Sequence, residues 1–224
     1  MKGAIFDMDG LMFDTERIWQ NNWQKLARER HVVLDPNFVK AITGTSGAHR
    51  AAVVAEYYHV SDGWPIDREC VRRVHADLEK NVPEKPGIHE ILSWLHEHGF
   101  RIAVASSTAS DQIEHNLEMT DTRKYIDAIC SGTQVSHGKP APDLFLYASK
   151  CIGVPIQECY IFEDAYNGIR AAYSAGGKGI MVPDTQAPDE EMKEKAHAIC
   201  HDLNEALSLI QKEYSEQERA YRKE

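Results

Sequence analysis

Four polar groups in this chain could do chemistry together: Asp7 with Asp9, Ser106 with Ser107, Lys139, and Glu163 with Asp164. Carboxylates, one ammonium and hydroxyls make a set that holds a divalent cation through oxygen and accepts a phosphate beside it. Mg2+ suits these oxygens better than Zn2+ does, because no His or Cys belongs to the set. The expected reaction follows from charge. A carboxylate attacking a phosphate dianion meets repulsion; a bound cation cancels it while the Lys139 ammonium and the Ser106 hydroxyl hold the transferring oxygens. Asp7 as nucleophile would give an aspartyl-phosphate. Asp9, two residues on, is placed to protonate the leaving alkoxide and then deprotonate the attacking water.

Each group also has a plainer reading. Asp7 and Asp9 could be turn residues after a strand. Ser106 and Ser107 could cap a helix, and Glu163 with Asp164 could complement a helix dipole. Lys139, between Gly138 and Pro140, could be a solvated loop lysine. What favours chemistry is that all four fall where strands stop or in a loop between elements, because in an open parallel sheet ligands bind beyond the carboxyl ends of the strands.

The elements that must position them can be read from the apolar pattern. Short β-rich runs at Lys2 to Phe6, Phe100 to Ala105, Tyr125 to Cys130, Cys159 to Phe162, Gly179 to Val182 and Ala196 to Cys200 read as strands. Helical patterns alternate with them from Ile88 to Gly99, Ser110 to Glu118, Asp143 to Ile152, Ala165 to Ala175 and Leu203 to about Glu213. That alternation predicts an α/β fold, a Rossmann-like parallel sheet with helices on both faces. Between Glu16 and Asn81 there is little strand signal, and Pro36, Gly44, Gly47, Gly63 and Pro65 divide the stretch into about four helices. The expected organisation is a core of residues 1–15 and 83–224, with a helical insert of 16–82 after the first strand. The tail from Glu213 to Glu224 reads as a charged, fraying helix end.

Composition sets the remaining bounds. The 224 residues suffice for one large or two small domains with a sizeable core. With 25 Lys and Arg against 35 Asp and Glu the formal charge is −10, so nucleic acid is not an expected partner. No apolar run approaches the ~18 residues of a membrane span, and no secretory signal pattern opens the chain. Five scattered cysteines without a C-x-x-C pair suit reduced thiols in a cytoplasm. The sequence does not speak to oligomeric state.

Asp7-Met8-Asp9-Gly10, Ser106, Lys139-Pro140 and Glu163-Asp164, in this order, resemble the four motifs of the haloacid-dehalogenase-like (HAD) hydrolase superfamily. Asp14-Thr15-Glu16, Lys139-Pro140-Ala141-Pro142-Asp143 and Glu163-Asp164-Ala165-Tyr166-Asn167-Gly168 resemble its β-phosphoglucomutase-like branch, which carries a four-helix cap after the first motif. The resemblance implies Asp7 as nucleophile and Asp9 as acid/base with its backbone carbonyl on Mg2+. It also implies Asp164 as a further ligand, Glu163 as binding or orienting the metal shell, and Ser106, Ser107 and Lys139 as the phosphoryl grip. Dehalogenases of the family lack the second aspartate. Mutases place a cap histidine and arginine where this chain has Trp19 and Gly47, although Arg50 could substitute. The expected activity is therefore a phosphatase acting on small phosphorylated metabolites, sugar phosphates foremost, with a phosphomutase and a non-catalytic phosphate sensor as alternatives. Trp19, Thr45, Ser46 and Arg50 are the candidate specificity residues, while Trp23 and Trp64 suit helix packing better.

Overall fold

The computed structural model describes residues 2–43, 45 and 47–221. Six strands form one sheet: β1 (Gly3–Phe6), β2 (Arg101–Ser106), β3 (Ala128–Ser131), β4 (Cys159–Glu163), β5 (Lys178–Met181) and β6 (Ala198–Ile199). Their order is β3-β2-β1-β4-β5-β6 and every pairing is parallel. β1 and β4 are buried along their whole length, as strands covered on both faces must be. Alternate side chains show both coverings. Ile5, Ala103, Ala105 and Ile161 share one apolar cluster with Leu144, Phe145 and Ala148 and with Ala171 and Ala172. Phe6 and Phe162 point the other way and stack 4.3 Å apart. The expected parallel α/β sheet is what forms.

The chain divides into two compact units, residues 1–13 with 84–224, and residues 14–83. The second holds α1 (Thr15–Glu29), α2 (Phe38–Ile42), α3 (Gly47–Tyr57) and α4 (Trp64–Leu78). Its core is aromatic: Trp23 packs edge-on against Phe38 and Tyr58, and the buried Tyr58 hydroxyl donates to the Trp23 carbonyl at 2.7 Å. Trp64, by contrast, is 38% exposed beneath the Arg68 guanidinium.

The first unit adds α5 (Ile88–Glu97), α6 (Ser110–Met119), α7 (Asp143–Ile152), α8 (Tyr166–Ala175), α9 (Glu190–Lys195) and α10 (Leu203–Tyr221). Two elements depart from expectation. α9, too short for a clear apolar period, is started by the Asp189 side chain, which accepts from the Met192 N–H. α10 runs eight residues past Glu213, through the stretch expected to fray, and its Glu213 turn is held by tertiary contacts. The Glu213 carboxylate takes the Tyr160 hydroxyl at 2.6 Å and pairs with His197, and Tyr214 packs edge-on to Trp94. Among the described residues no helix is long and apolar enough to cross a membrane.

Candidate active site

The candidate residues gather at the carboxyl ends of β1, β2 and β4. Asp7 follows β1, and its N–H donates to the Phe162 carbonyl at 3.0 Å, which extends the sheet pairing and aims the carboxylate out of the strand end. Glu163 closes β4 and Asp164 follows it; the two and Asp7 are all buried. One oxygen from each of these three carboxylates lies within 4.8 Å of the others. Lys139 enters from the loop before α7 through a cis peptide to Pro140. Its ammonium meets Asp7 Oδ1 at 2.5 Å, Glu163 Oε1 at 2.6 Å and the Ala105 carbonyl at 3.1 Å. All three of its N–H donors are thereby used.

Two glycines make this approach possible. A Cβ on Gly168, in the first turn of α8, would run into the Glu163 carboxyl group. Gly10 has φ +86°, and a Cβ there would stand 2.5 Å from Asp164 Oδ2. Glu163 is fixed further by the Ala165 N–H, which donates to Oε2 at 3.0 Å.

Electrostatics follow from crowding. Burial pushes the Asp7 carboxyl up and the Lys139 ammonium pulls it back, but Glu163 and Asp9 push it up again, to about 8. Burial acts on Lys139 in the opposite direction. Asp7 and Glu163 outweigh it, and the ammonium stays protonated. Buried carboxylates that outnumber the one ammonium among them, and that offer only oxygen, fit a hard divalent cation such as Mg2+. This gives a pH-dependent expectation. Because the folded Asp7 carboxyl titrates above its ordinary range, it holds a proton that the unfolded chain releases. The cation-free protein therefore loses stability as pH rises from about 4 toward 8 on account of this group. A cation competes with that proton, so millimolar Mg2+ should raise Tm more at pH 8.5 than at pH 6. A thermal shift equal or larger at pH 6 would contradict this account.

The other expected residues are distributed as follows. Asp9 is half-buried and turns its Oδ2 to two hydroxyls, Ser106 Oγ at 3.2 Å and Thr108 Oγ1 at 2.7 Å. Ser107 is exposed at the same strand end. In the 14–83 unit, the Trp19 and Trp23 rings stack 6.1 Å apart. Arg50 places its Nε 2.5 Å from Asp67 Oδ1 and its guanidinium 5.0 Å from the Trp19 ring centre. Thr45 donates its hydroxyl to the Ile42 carbonyl at 2.6 Å, ending α2, and Ser46 lies outside the described residues. Thr108 was not foreseen; its signal was its place in the polar run Ser106-Ser107-Thr108. Nor was the Lys85–Asp184 ion pair at 2.6 Å. Asp184 Oδ2 stands 3.4 Å from where a Gly10 Cβ would be. A separation of 99 residues hides that pair from any local pattern.

Comparison with known proteins supplies independent evidence. The family model for haloacid dehalogenase-like hydrolases matches residues 4–182. Fructose-1-phosphate phosphatase YqaB of Escherichia coli K12 is 34% identical over 182 residues, covering 80% of this chain and 95% of its own. Hexitol phosphatase B of the same strain is 30% identical over 193 residues, covering 84% and 86%. The crystal structure of β-phosphoglucomutase from Clostridium difficile superposes with a TM-score of 0.78 over 97% of this chain and 98% of that one, at 24% identity, a likeness of fold.

Proposed function

The chain belongs to the haloacid dehalogenase-like hydrolase family, and from that premise we propose a phosphatase that hydrolyses small phosphorylated metabolites, sugar phosphates foremost, through an aspartyl-phosphate on Asp7. The observation that carries the reading is the buried Asp7 carboxylate at a strand end, shared with Glu163 on a single ammonium and flanked by a second aspartate.

In this reading Asp7, Glu163, Asp164 and the Asp9 backbone carbonyl would hold a divalent cation, which would supply charge neutralisation for two anions brought together. The residues do the rest. Asp7 attacks phosphorus and the bond to the ester oxygen breaks, its electron pair leaving with that oxygen, which takes the proton of Asp9. Asp9 then accepts a proton from the water that opens the aspartyl-phosphate. Ser107 and Lys139 hold the phosphoryl oxygens, and Ser106 joins them by turning its single hydroxyl proton away from Asp9 Oδ2. For Lys139 this requires exchanging one of three occupied donors, and the neutral Ala105 carbonyl, its longest contact, is the partner most cheaply released. The 14–83 unit is the cap that selects the leaving group, with Trp19, Thr45, Ser46 and Arg50 as its candidate determinants. A reducing cytoplasm belongs to the same proposal and is in keeping with five free thiols, four of them buried.

Phosphatase rather than mutase is favoured by Arg50. A mutase must hold its bisphosphorylated intermediate from the cap, whereas this guanidinium has Nε and Nη2 committed to the buried Asp67. The deciding experiment supplies β-glucose 1-phosphate with Mg2+ and follows products by 31P NMR. Inorganic phosphate is the expected product; glucose 6-phosphate would establish the mutase instead. Inertness toward this ester and a panel of sugar phosphates, with a phosphate-dependent thermal shift retained, would favour a sensor.

A further inference from the structure

The hydroxyls behind Asp9 form a connected brace that starts from the motif residue Ser106 and runs beyond the motifs. Thr108 Oγ1 donates to Asp9 Oδ2 at 2.7 Å, and Ser106 Oγ donates to the same oxygen at 3.2 Å while accepting the Thr108 N–H at 3.1 Å. Thr108 is itself pinned from the neighbouring strand. Ser131, fully buried and in register with Ser106, donates its hydroxyl to the Thr108 carbonyl at 2.6 Å. The Ser131 oxygen in turn accepts the Thr133 N–H at 3.2 Å, and its own N–H is capped by Gln134 Oε1 at 2.7 Å. The Thr133 hydroxyl lies 2.9 Å from the same oxygen, so Ser131 sits within a connected polar cluster.

Asp9 needs such support. It lies in a turn beyond β1 and is half-buried, so its side chain has room to swing toward solvent. Two donors on Oδ2 oppose that swing and set the plane of the carboxyl group, and Thr108, the shorter contact of the two, keeps it there when the Ser106 hydroxyl turns to a phosphoryl oxygen. We propose that Thr108 and Ser131 are positioning residues for the general acid, and that they set the enzyme's preference for esters with poor leaving groups over activated ones. The inference rests on the acid/base reading of Asp9 above. An alkoxide departs only as it is protonated by Asp9; a p-nitrophenolate departs without that help. A misplaced Asp9 therefore costs turnover of alkyl phosphates and largely spares aryl ones.

The test compares kcat/KM, which reports the steps through phosphoryl transfer to Asp7, for a hexose phosphate and for p-nitrophenyl phosphate. In Thr108→Val, which keeps the shape of the side chain, and in Ser131→Ala, the ratio of hexose phosphate to aryl ester should fall about tenfold or more relative to the parent protein. Thr108→Ser should restore it. Loss of both esters in equal proportion, an unchanged ratio, or a Thr108→Ser variant as deficient as Thr108→Val would overturn the brace while leaving the phosphatase reading intact. Using two sites guards against a folding defect at buried Ser131. A parent protein inert toward both esters would overturn the phosphatase reading, and the brace with it.

Discussion

Asp7→Asn should lower Mg2+-dependent turnover of phosphate esters by at least about a thousandfold, because an amide cannot form the acyl phosphate through which the reaction divides into two displacements. The same variant should not unfold. Asn keeps the shape of the side chain, its carbonyl can accept from Lys139 at the place of Oδ1, and Lys139 retains Glu163. Burial and two neighbouring carboxylates make the charge on Asp7 costly in the folded protein, so removing it should leave Tm at pH 8 in EDTA equal to or above that of the parent. Steady-state release of phosphate from p-nitrophenyl phosphate and a melting curve decide both halves. Retained turnover would remove Asp7 from the mechanism; a collapsed melting curve would mean that its charge, through Lys139, is structural.

Lys139→Met should damage both activity and the fold. The ammonium is 9% exposed and is the partner of two buried carboxylates, so its loss leaves uncompensated charge of the kind that costs about 3–5 kcal/mol. For a chain of this size that corresponds to a drop in Tm of roughly 10 °C. Loss of the donor proposed to hold the phosphoryl group should lower kcat by roughly a hundredfold or more. The signature is the pH dependence. Protonating Asp7 removes much of the stranded charge, so the deficit in Tm should shrink as pH falls from 8 to 5. A deficit independent of pH would show that Lys139 contributes mainly by packing its stem, its ammonium lying 4.9 Å from the Phe145 ring centre.

Much of the fold and the candidate site was legible because it rests on short-range rules. Apolar runs such as Gly3–Phe6 and Cys159–Glu163 admit few conformations other than buried strands, and polar residues immediately after them must lie at strand ends. Parallel pairing then places those ends on one edge of the sheet, which is how Asp7, Ser106 and Glu163 could be expected near one another. Chain ends of elements were less legible: α10 runs on through the stretch expected to fray, and its Glu213–Tyr214 turn is met by Tyr160, His197 and Trp94 from elsewhere.

What tertiary structure alone decided are the pairings among these residues. Nothing in the spacing says that Lys139 spends all three donors on Asp7, Glu163 and the Ala105 carbonyl, that Gly168 is a glycine because the Glu163 carboxyl lies against it, or that Arg50 is committed to Asp67. Nor does it join Ser131 to Asp9 through Thr108. Periodicity reports which face of an element is buried. Hydrogen bonds between side chains tens of residues apart depend on distances of a few tenths of an ångström, and only the packed chain sets those.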